Sequence, residues 1–214
     1  MAELVDALGL GSSVFMTWRF KSSQRHYGII LMKNDLEKFY KFREQKFIVI
    51  PNFFNEEEIK YVYDNWKKHR FKTKYKDRQV DNCISRHNYP PVAYFSCEKI
   101  QRIVDVAGVR VLPTYSYIRT YFNKSELKKH RDRDACEISV SVHLNGDKPW
   151  NLIIDGSPIN LNPGDGVAYW GREWVHWREP YDGEEYTNVF LHYVMLEGHF
   201  IKHMFDTEVL HNPA

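Results

Sequence analysis

The second half of the chain consists of short runs in which apolar and polar residues alternate. After Gly108, runs rich in β-branched and aromatic residues span 109–121, 137–144, 151–154, 167–170, 174–178 and 187–195. The segment 162–166, Asn-Pro-Gly-Asp-Gly, has the composition of a turn. A period of two is typical of half-buried strands, and many short strands separated by turns indicate a sandwich or barrel.

The N-terminal third follows a helical pattern instead. Asn55 and Glu58 have the spacing of a capping box, which predicts a helix start before the apolar stripe that ends at Trp66. Gly108 follows the last periodic residue of another helix, as expected of a C-terminal cap. The predicted segments are a helix over 33–45, a strand over 47–51, the capped helix, an irregular stretch over 71–96 that contains Pro90 and Pro91, and a helix over 97–107.

Together these patterns predict a mainly β (α+β) fold with N-terminal helices. We expect a double-stranded β-helix, or jelly roll, with the helices packed on one of its two sheets. Residues 32–214 are predicted to form a single domain. Residues 1–31 join poorly to the rest of the chain and are predicted to be an extension that could be non-native, with Met32 as the natural start; a short helix packed on the domain is the alternative.

Composition limits the classes of function. The net charge of +2 is too small to indicate a nucleic-acid partner. The three cysteines, at 83, 97 and 136, lack the spacing of a disulfide scaffold or a structural zinc site. Neither a secretory pattern nor an apolar run of about 18 residues is found, so no membrane partner and a cytoplasmic location are expected.

One motif points to metal chemistry. His130 and Asp132 are two residues apart, so on an extended strand both side chains would project from one face. His176 offers a third ligand 44 residues later. Two histidines and one carboxylate are the ligands of a mononuclear non-haem iron(II) site, which leaves one face open for a co-substrate and O₂. A solvated loop pair and an unrelated core histidine are the alternative.

Four segments, in order along the chain, resemble the catalytic domain of prolyl-4-hydroxylase-like iron(II)/2-oxoglutarate dioxygenases. The resemblance extends over about 36–195 and rests on the entry strand and helix at 47–55, the Tyr…His-x-Asp pattern at 121–132, His-Leu-Asn at 143–145 in place of the family's Tyr-Leu-Asn, and the Asn-Pro-Gly-Asp turn and strand at 162–170.

This resemblance implies that His130, Asp132 and His176 bind Fe(II) and that Tyr121 faces the co-substrate. The implied reaction consumes 2-oxoglutarate and O₂, releases succinate and CO₂, and hydroxylates a substrate, with ascorbate as a supporting reductant. The sequence does not identify the substrate or the oligomeric state; a peptide or small molecule is favoured.

The chain departs from this family at one position. The family has Arg or Lys about ten residues after the distal histidine, to pair with the far carboxylate of 2-oxoglutarate, but 179–201 contains neither. Arg178 is our first candidate for this pairing, since it would share the strand face of His176. The alternative is an exposed arginine paired with Glu179 or Asp182. Arg119 is the second candidate, although an ordinary structural role is favoured for it, and His143 could add a hydrogen bond.

Other interpretations remain open. The missing base could indicate a jelly-roll binding module that has lost the co-substrate, or a cupin-type metal enzyme that does not use 2-oxoglutarate. The segment 66–78 carries seven Lys or Arg against one acid, with aromatic residues between them, so nucleic acid is a possible partner. We favour a solvated helix end and loop there, with Trp66 and Phe71 turned inward.

Overall fold

The computed structural model describes residues 13–17, 28–72, 77 and 79–206. In this part of the chain, no helix has the length and apolar character needed to cross a membrane. The predicted extension 1–31 falls mostly outside the described residues, and its native status stays a prediction. Strands β1 (Ser13–Thr17) and β2 (Gly28–Met32), the second of which ends one residue beyond the extension, pair antiparallel.

The described α-helices all precede the long central strands. They are α1 (Lys33–Gln45), α2 (Glu56–His69), α3 (Pro90–Glu98) and α4 (Ile100–Ala107). The predicted capping box begins α2, because the Asn55 side chain accepts from the Glu58 backbone and the Glu58 side chain accepts from the Asn55 backbone, both at 2.9 Å. Gly108 ends α4 with a positive φ of 67°, and a Cβ there would collide with the Asp35 carbonyl oxygen.

The remaining strands form two antiparallel sheets. They are β3 (Phe47–Ile50), β4 (Cys83–His87), β5 (Val111–Phe122), β6 (Leu127–His130), β7 (Ile138–Gly146), β8 (Leu152–Ile154), β9 (Ser157–Ile159), β10 (Gly166–Tyr169), β11 (His176–Arg178) and β12 (Glu185–Met195). The larger sheet has the order β3-β10-β7-β12-β5-β4, and the smaller has the order β6-β11-β8-β9. The mainly antiparallel architecture with N-terminal helices agrees with the prediction.

The larger sheet buries both of its faces. One face packs on the helices: Ile118, Val140 and Leu191 share the main apolar cluster with Trp66 of α2 and Ile103 of α4. The opposite face turns toward the smaller sheet, where a second cluster joins residues of both sheets; it contains Leu152, Ile154, Ile159, Leu161, Val167 and Tyr169. Residues of alternate parity on each long strand therefore line the space between the sheets.

Several local predictions were wrong. The stretch 71–96 was predicted to be irregular, but it contains β4 and most of α3. The predicted helix over 97–107 is two helices that meet at Lys99. Pro90 and Pro91, which were placed inside the irregular stretch, occupy the first turn of α3, where a proline has no hydrogen bond to lose. The short strands β6 and β9 were also missed.

Candidate metal centre

The smaller sheet brings together the three predicted ligands. His130 is the last residue of β6, and His176, the first residue of β11, is its direct antiparallel partner. This pairing closes the 44-residue separation between Asp132 and His176. Ligand atoms of His130, Asp132 and His176 all lie within 4.8 Å of one another. Strand parity was the wrong reason to expect Asp132 here, because β6 ends at His130 and Asp132 lies in the following loop.

Backbone carbonyl groups orient both imidazole rings. Nδ1 of His130 lies 2.8 Å from the Lys128 carbonyl oxygen, and Nδ1 of His176 lies 3.0 Å from that of Trp174. Since a carbonyl oxygen only accepts, each Nδ1 carries the proton and each Nε2 has a free lone pair. Both Nε2 atoms face Oδ1 of Asp132, at 3.5 Å and 3.4 Å.

The carboxylate of Asp132 is fixed by its surroundings. Its backbone N–H donates to the Gly171 carbonyl oxygen at 2.9 Å, and its Oδ2 accepts from the Ser139 hydroxyl at 2.7 Å. Burial by itself would raise the pKa of Asp132, but its contacts with the His130 and His176 side chains outweigh burial and hold that pKa well below the ordinary value. The site therefore offers an ionised carboxylate beside two imidazole lone pairs, which is a donor set that suits Fe(II).

A second group, Asp132, Cys136 and His192, also lies within 4.8 Å. It is less suited to a metal because the Ser139 hydroxyl lies between two of its members, within hydrogen-bonding distance of both Asp132 Oδ2 and His192 Nδ1. In addition, burial raises the pKa of the Cys136 thiol well above its usual range, so the thiol keeps its proton.

Arg178, two residues after His176 on β11, is buried in the space between the sheets. Its side chain is 1% exposed, and Nη1 donates to the Trp150 carbonyl oxygen at 2.5 Å. Its Nε and Nη2 atoms are buried and have no hydrogen-bond partner among the described residues. The alternative prediction of an exposed arginine paired with Glu179 or Asp182 is therefore wrong. Among the described residues, no acid lies within ion-pair distance of this guanidinium.

Two more buried polar atoms without a partner lie beside Arg178. The Tyr186 ring is 5.0 Å from the guanidinium; its hydroxyl lies close enough to interact with Arg178 but makes no hydrogen bond of ordinary geometry with any described residue. The His143 ring stacks on Tyr186 with centroids 4.3 Å apart, and its Nε2 has no hydrogen-bond partner in the part of the chain that the structure describes. Burial lowers the pKa of His143, which keeps the ring neutral. Tyr186 was missed from the sequence, although it lies ten residues after His176, the position where the resembled family has its base.

The other two candidates contact each other. The hydroxyl of Tyr121, a fully buried residue, accepts from Arg119 Nη1 at 3.1 Å, and its ring packs against Trp150. Arg119 pairs with Asp77 at 2.8 Å and also donates to Gln79. Because a buried carboxylate already balances its charge, Arg119 is poorly placed to pair with a second anion.

Only part of the basic segment 66–78 belongs to the described residues. Trp66 is buried, as predicted, and its indole N–H donates to Thr120 Oγ1 at 2.8 Å. Phe71 was predicted to turn inward, but it is 71% exposed, with the Arg70 guanidinium over its ring at 4.8 Å. Residues 73–76 and 78 lie outside the described residues.

Comparison with known proteins rests on structure alone, since neither a protein-family model nor a curated protein sequence matches the chain. A prolyl-4-hydroxylase of Pseudomonas putida superposes with a TM-score of 0.58 at 12% identity, covering 75% of this chain and 98% of the other. HygX of Streptomyces hygroscopicus was crystallised with nickel, 2-oxoglutarate and hygromycin B. It superposes with a TM-score of 0.60 at 13% identity, covering 75% of this chain and 87% of the other.

A third solved structure is a prolyl hydroxylase of Trichoplax adhaerens in complex with a peptide of hypoxia inducible factor. It gives a TM-score of 0.59 at 13% identity and covers 76% of this chain and 91% of the other. The fold is that of the iron- and 2-oxoglutarate-dependent oxygenases. Within this oxygenase fold, the chain combines the two-histidine, one-carboxylate cluster with a buried arginine two residues beyond the second histidine.

Proposed function

We propose that the chain is an Fe(II)- and 2-oxoglutarate-dependent dioxygenase that hydroxylates a peptide or a small molecule. The observation that carries the proposal is the convergence of two imidazole lone pairs on one carboxylate oxygen, beside a buried guanidinium whose Nε and Nη2 have no hydrogen-bond partner among the residues described. We also propose that the two larger sheets are the two sheets of a jelly roll, within a single domain over 32–214.

His130, Asp132 and His176 would hold the metal. Fe(II), when bound there, supplies the redox chemistry with O₂ that converts 2-oxoglutarate to succinate and CO₂ and oxidises a substrate C–H bond. The chain's own contribution is orientation. Both Nδ1 protons are bound to backbone carbonyl groups, so the imidazoles present lone pairs without rearrangement.

Arg178 would bind the far carboxylate of 2-oxoglutarate. A guanidinium can donate two parallel hydrogen bonds to a carboxylate, and Nε and Nη2 are the pair of donors left free. Removing a charge from water without a partner is costly, so an unpaired buried arginine is well suited to receive an anion. Tyr186 adds a neutral hydroxyl next to it, and Tyr121 and Trp150 supply aromatic walls.

This arrangement weakens the main argument for a binding module without co-substrate, which was the lack of a base after His176. Both peptide and small-molecule substrates remain in the proposal, because one similar structure contains a peptide and another contains hygromycin B. Nucleic acid is not favoured: the basic segment has an ordinary structural explanation at Trp66, which packs in the core.

The test is 2-oxoglutarate turnover. Purified protein is incubated with Fe(II), ascorbate, O₂ and 2-oxoglutarate, and succinate is measured with and without peptide and small-molecule libraries. We expect succinate from the unmutated protein and none from His176→Ala. If Fe(II) binds but no succinate forms, a cupin-type enzyme is favoured. If no iron binds, the binding module is favoured.

A further inference from the structure

The residues around Asp132 hold its two oxygens in different environments. Oδ1 faces the imidazoles of His130 and His176, whereas Oδ2 points away from them and accepts from Ser139 at 2.7 Å. A carboxylate can bind a metal through one oxygen or through both. The contact to Ser139 therefore bears on how many coordination positions the protein occupies.

Ser139 is itself held by a neighbour on the next strand. It lies on β7, directly opposite His192 on β12, and its Oγ is 3.0 Å from His192 Nδ1. The hydroxyl has one proton, which it donates to Asp132, so Nδ1 of His192 must be the donor in the second contact. The result is a directed chain of hydrogen bonds from His192 to Ser139 to Asp132, with Ser139 1% and His192 6% exposed.

Two further features keep this chain of hydrogen bonds in place. The Tyr115 ring packs against the His192 ring with centroids 4.5 Å apart, which limits rotation of the imidazole. Gly171 leaves room on the other side: a Cβ at that position would lie 2.5 Å from Ser139 Oγ and would collide with Asp132 Oδ2. The backbone and the side chains thus stabilise the same orientation of the Asp132 carboxylate.

We infer that Ser139 and His192 are positioning residues that reserve Oδ2 of Asp132, so that this carboxylate offers only Oδ1 to the metal and the coordination face needed for co-substrate and O₂ stays open. This inference rests on the proposed iron site. Neither residue touches the metal or substrate in this role; both act through Asp132.

The experiment uses cobalt(II) as the probe, because its visible absorption changes with coordination number and needs no turnover. Cobalt affinity is measured by chelator competition for the unmutated protein, Ser139→Ala, His192→Phe, the double variant and His192→Asn. We expect Ser139→Ala and His192→Phe each to weaken binding by roughly 10–100-fold and to shift the cobalt bands in the same way.

Two comparisons separate positioning from general damage. His192→Asn keeps an N–H donor at the place of Nδ1, so it should restore the affinity and the spectrum of the unmutated protein. The double variant should lose no more than Ser139→Ala alone, since His192 acts only through Ser139. Ser141→Ala is the matched control: Ser141 lies two residues along the same strand, is equally buried, and its hydroxyl accepts from Asn188 instead of donating to a predicted ligand.

The outcomes are distinct. If the unmutated protein binds no cobalt, the proposed iron site fails. If it binds cobalt but Ser139→Ala behaves like Ser141→Ala, the site stands and the positioning role is overturned. If the losses of cobalt affinity in Ser139→Ala and His192→Phe add up in the double variant, the directed chain of hydrogen bonds is overturned. It is also overturned if His192→Asn binds cobalt as weakly as His192→Phe. Thermal unfolding of the metal-free variants verifies that each one folds.

Discussion

Replacing Arg178 by methionine separates binding of the co-substrate from stability of the fold. Methionine fills a similar volume with no charge. In the metal-free protein the substitution removes a buried cation that has no acidic partner, which stabilises the fold. It also removes the hydrogen bond to the Trp150 carbonyl and the contacts of the guanidinium with Trp150 and Tyr186, which destabilises the fold. Because these effects oppose each other, we expect the free energy of unfolding to change by less than ~2 kcal/mol.

The expected effect on 2-oxoglutarate is much larger. Nε and Nη2 are two free donors, and hydrogen bonds to charged groups contribute ~1.5–3 kcal/mol each, which gives ~3–6 kcal/mol for the pair. At about 1.4 kcal/mol for each factor of ten, the requirement for 2-oxoglutarate should rise by ~10²–10⁴-fold. The 2-oxoglutarate requirement of Arg178→Lys should lie between those of the unmutated protein and Arg178→Met. An ammonium group keeps the charge but cannot donate two parallel hydrogen bonds to one carboxylate.

The assay is succinate formation as a function of 2-oxoglutarate concentration, with thermal unfolding of each metal-free protein measured in parallel. Arg110→Met serves as the control, because it makes the same chemical change at a side chain that is 66% exposed. If Arg178→Met keeps the 2-oxoglutarate requirement of the unmutated protein, Arg178 is not the anchor. If Arg178→Met forms less succinate but its metal-free form is also unfolded, the assignment is equally refuted.

Three further results are expected. Gly171→Ala should abolish cobalt binding, because its Cβ would occupy the space of Asp132 Oδ2; unchanged affinity by chelator competition would contradict the geometry. Tyr186→Phe should leave metal-free stability nearly unchanged and raise the KM for 2-oxoglutarate by roughly tenfold or more; an unchanged KM would remove this hydroxyl from the pocket. Burial alone would raise the pKa of Asp77, but the charge of Arg119 and the hydrogen bonds from Tyr117 and the Gln79 backbone together outweigh burial and lower the pKa to about 2. These contacts of the ionised Asp77 therefore stabilise the fold above pH ~4, by about 2 kcal/mol, and this contribution should be lost as the pH falls toward 2; acid unfolding of Asp77→Asn should show no such loss.

The alternating pattern made the β-rich half of the chain predictable, and the capping box made the start of α2 predictable. Strand parity also predicted that Arg178 would share a face with His176, and β11 buries both residues with Trp177 less buried between them. Such local rules work because side chains on a strand have a fixed period. They fail where a strand ends. β6 ends at His130, so the position of Asp132 is set by the following loop and not by the alternation of side chains along a strand.

Other features depend on pairing between distant strands, which a single sequence does not specify. The register that places His176 opposite His130 is one example, and the register that places His192 opposite Ser139 is another. The edge strand β4 is defined only by its pairing with β5. Tyr186 could have been found by its distance from His176, but a search limited to basic residues overlooked a neutral hydroxyl.

The buried polar atoms beside the metal centre follow a pattern that folding alone does not explain. Nearly all buried donors and acceptors in folded proteins have partners, and each one left without a partner costs ~1–3 kcal/mol. Arg178, Tyr186 and His143, which lie against one another, contribute four atoms that have no partner in the described part of the chain. By contrast, the equally buried Arg119 has its donors occupied by Asp77, Gln79 and Tyr121. The chain is therefore able to satisfy a buried arginine. The free donors of Arg178 are best understood as a site prepared for a carboxylate that arrives with the co-substrate.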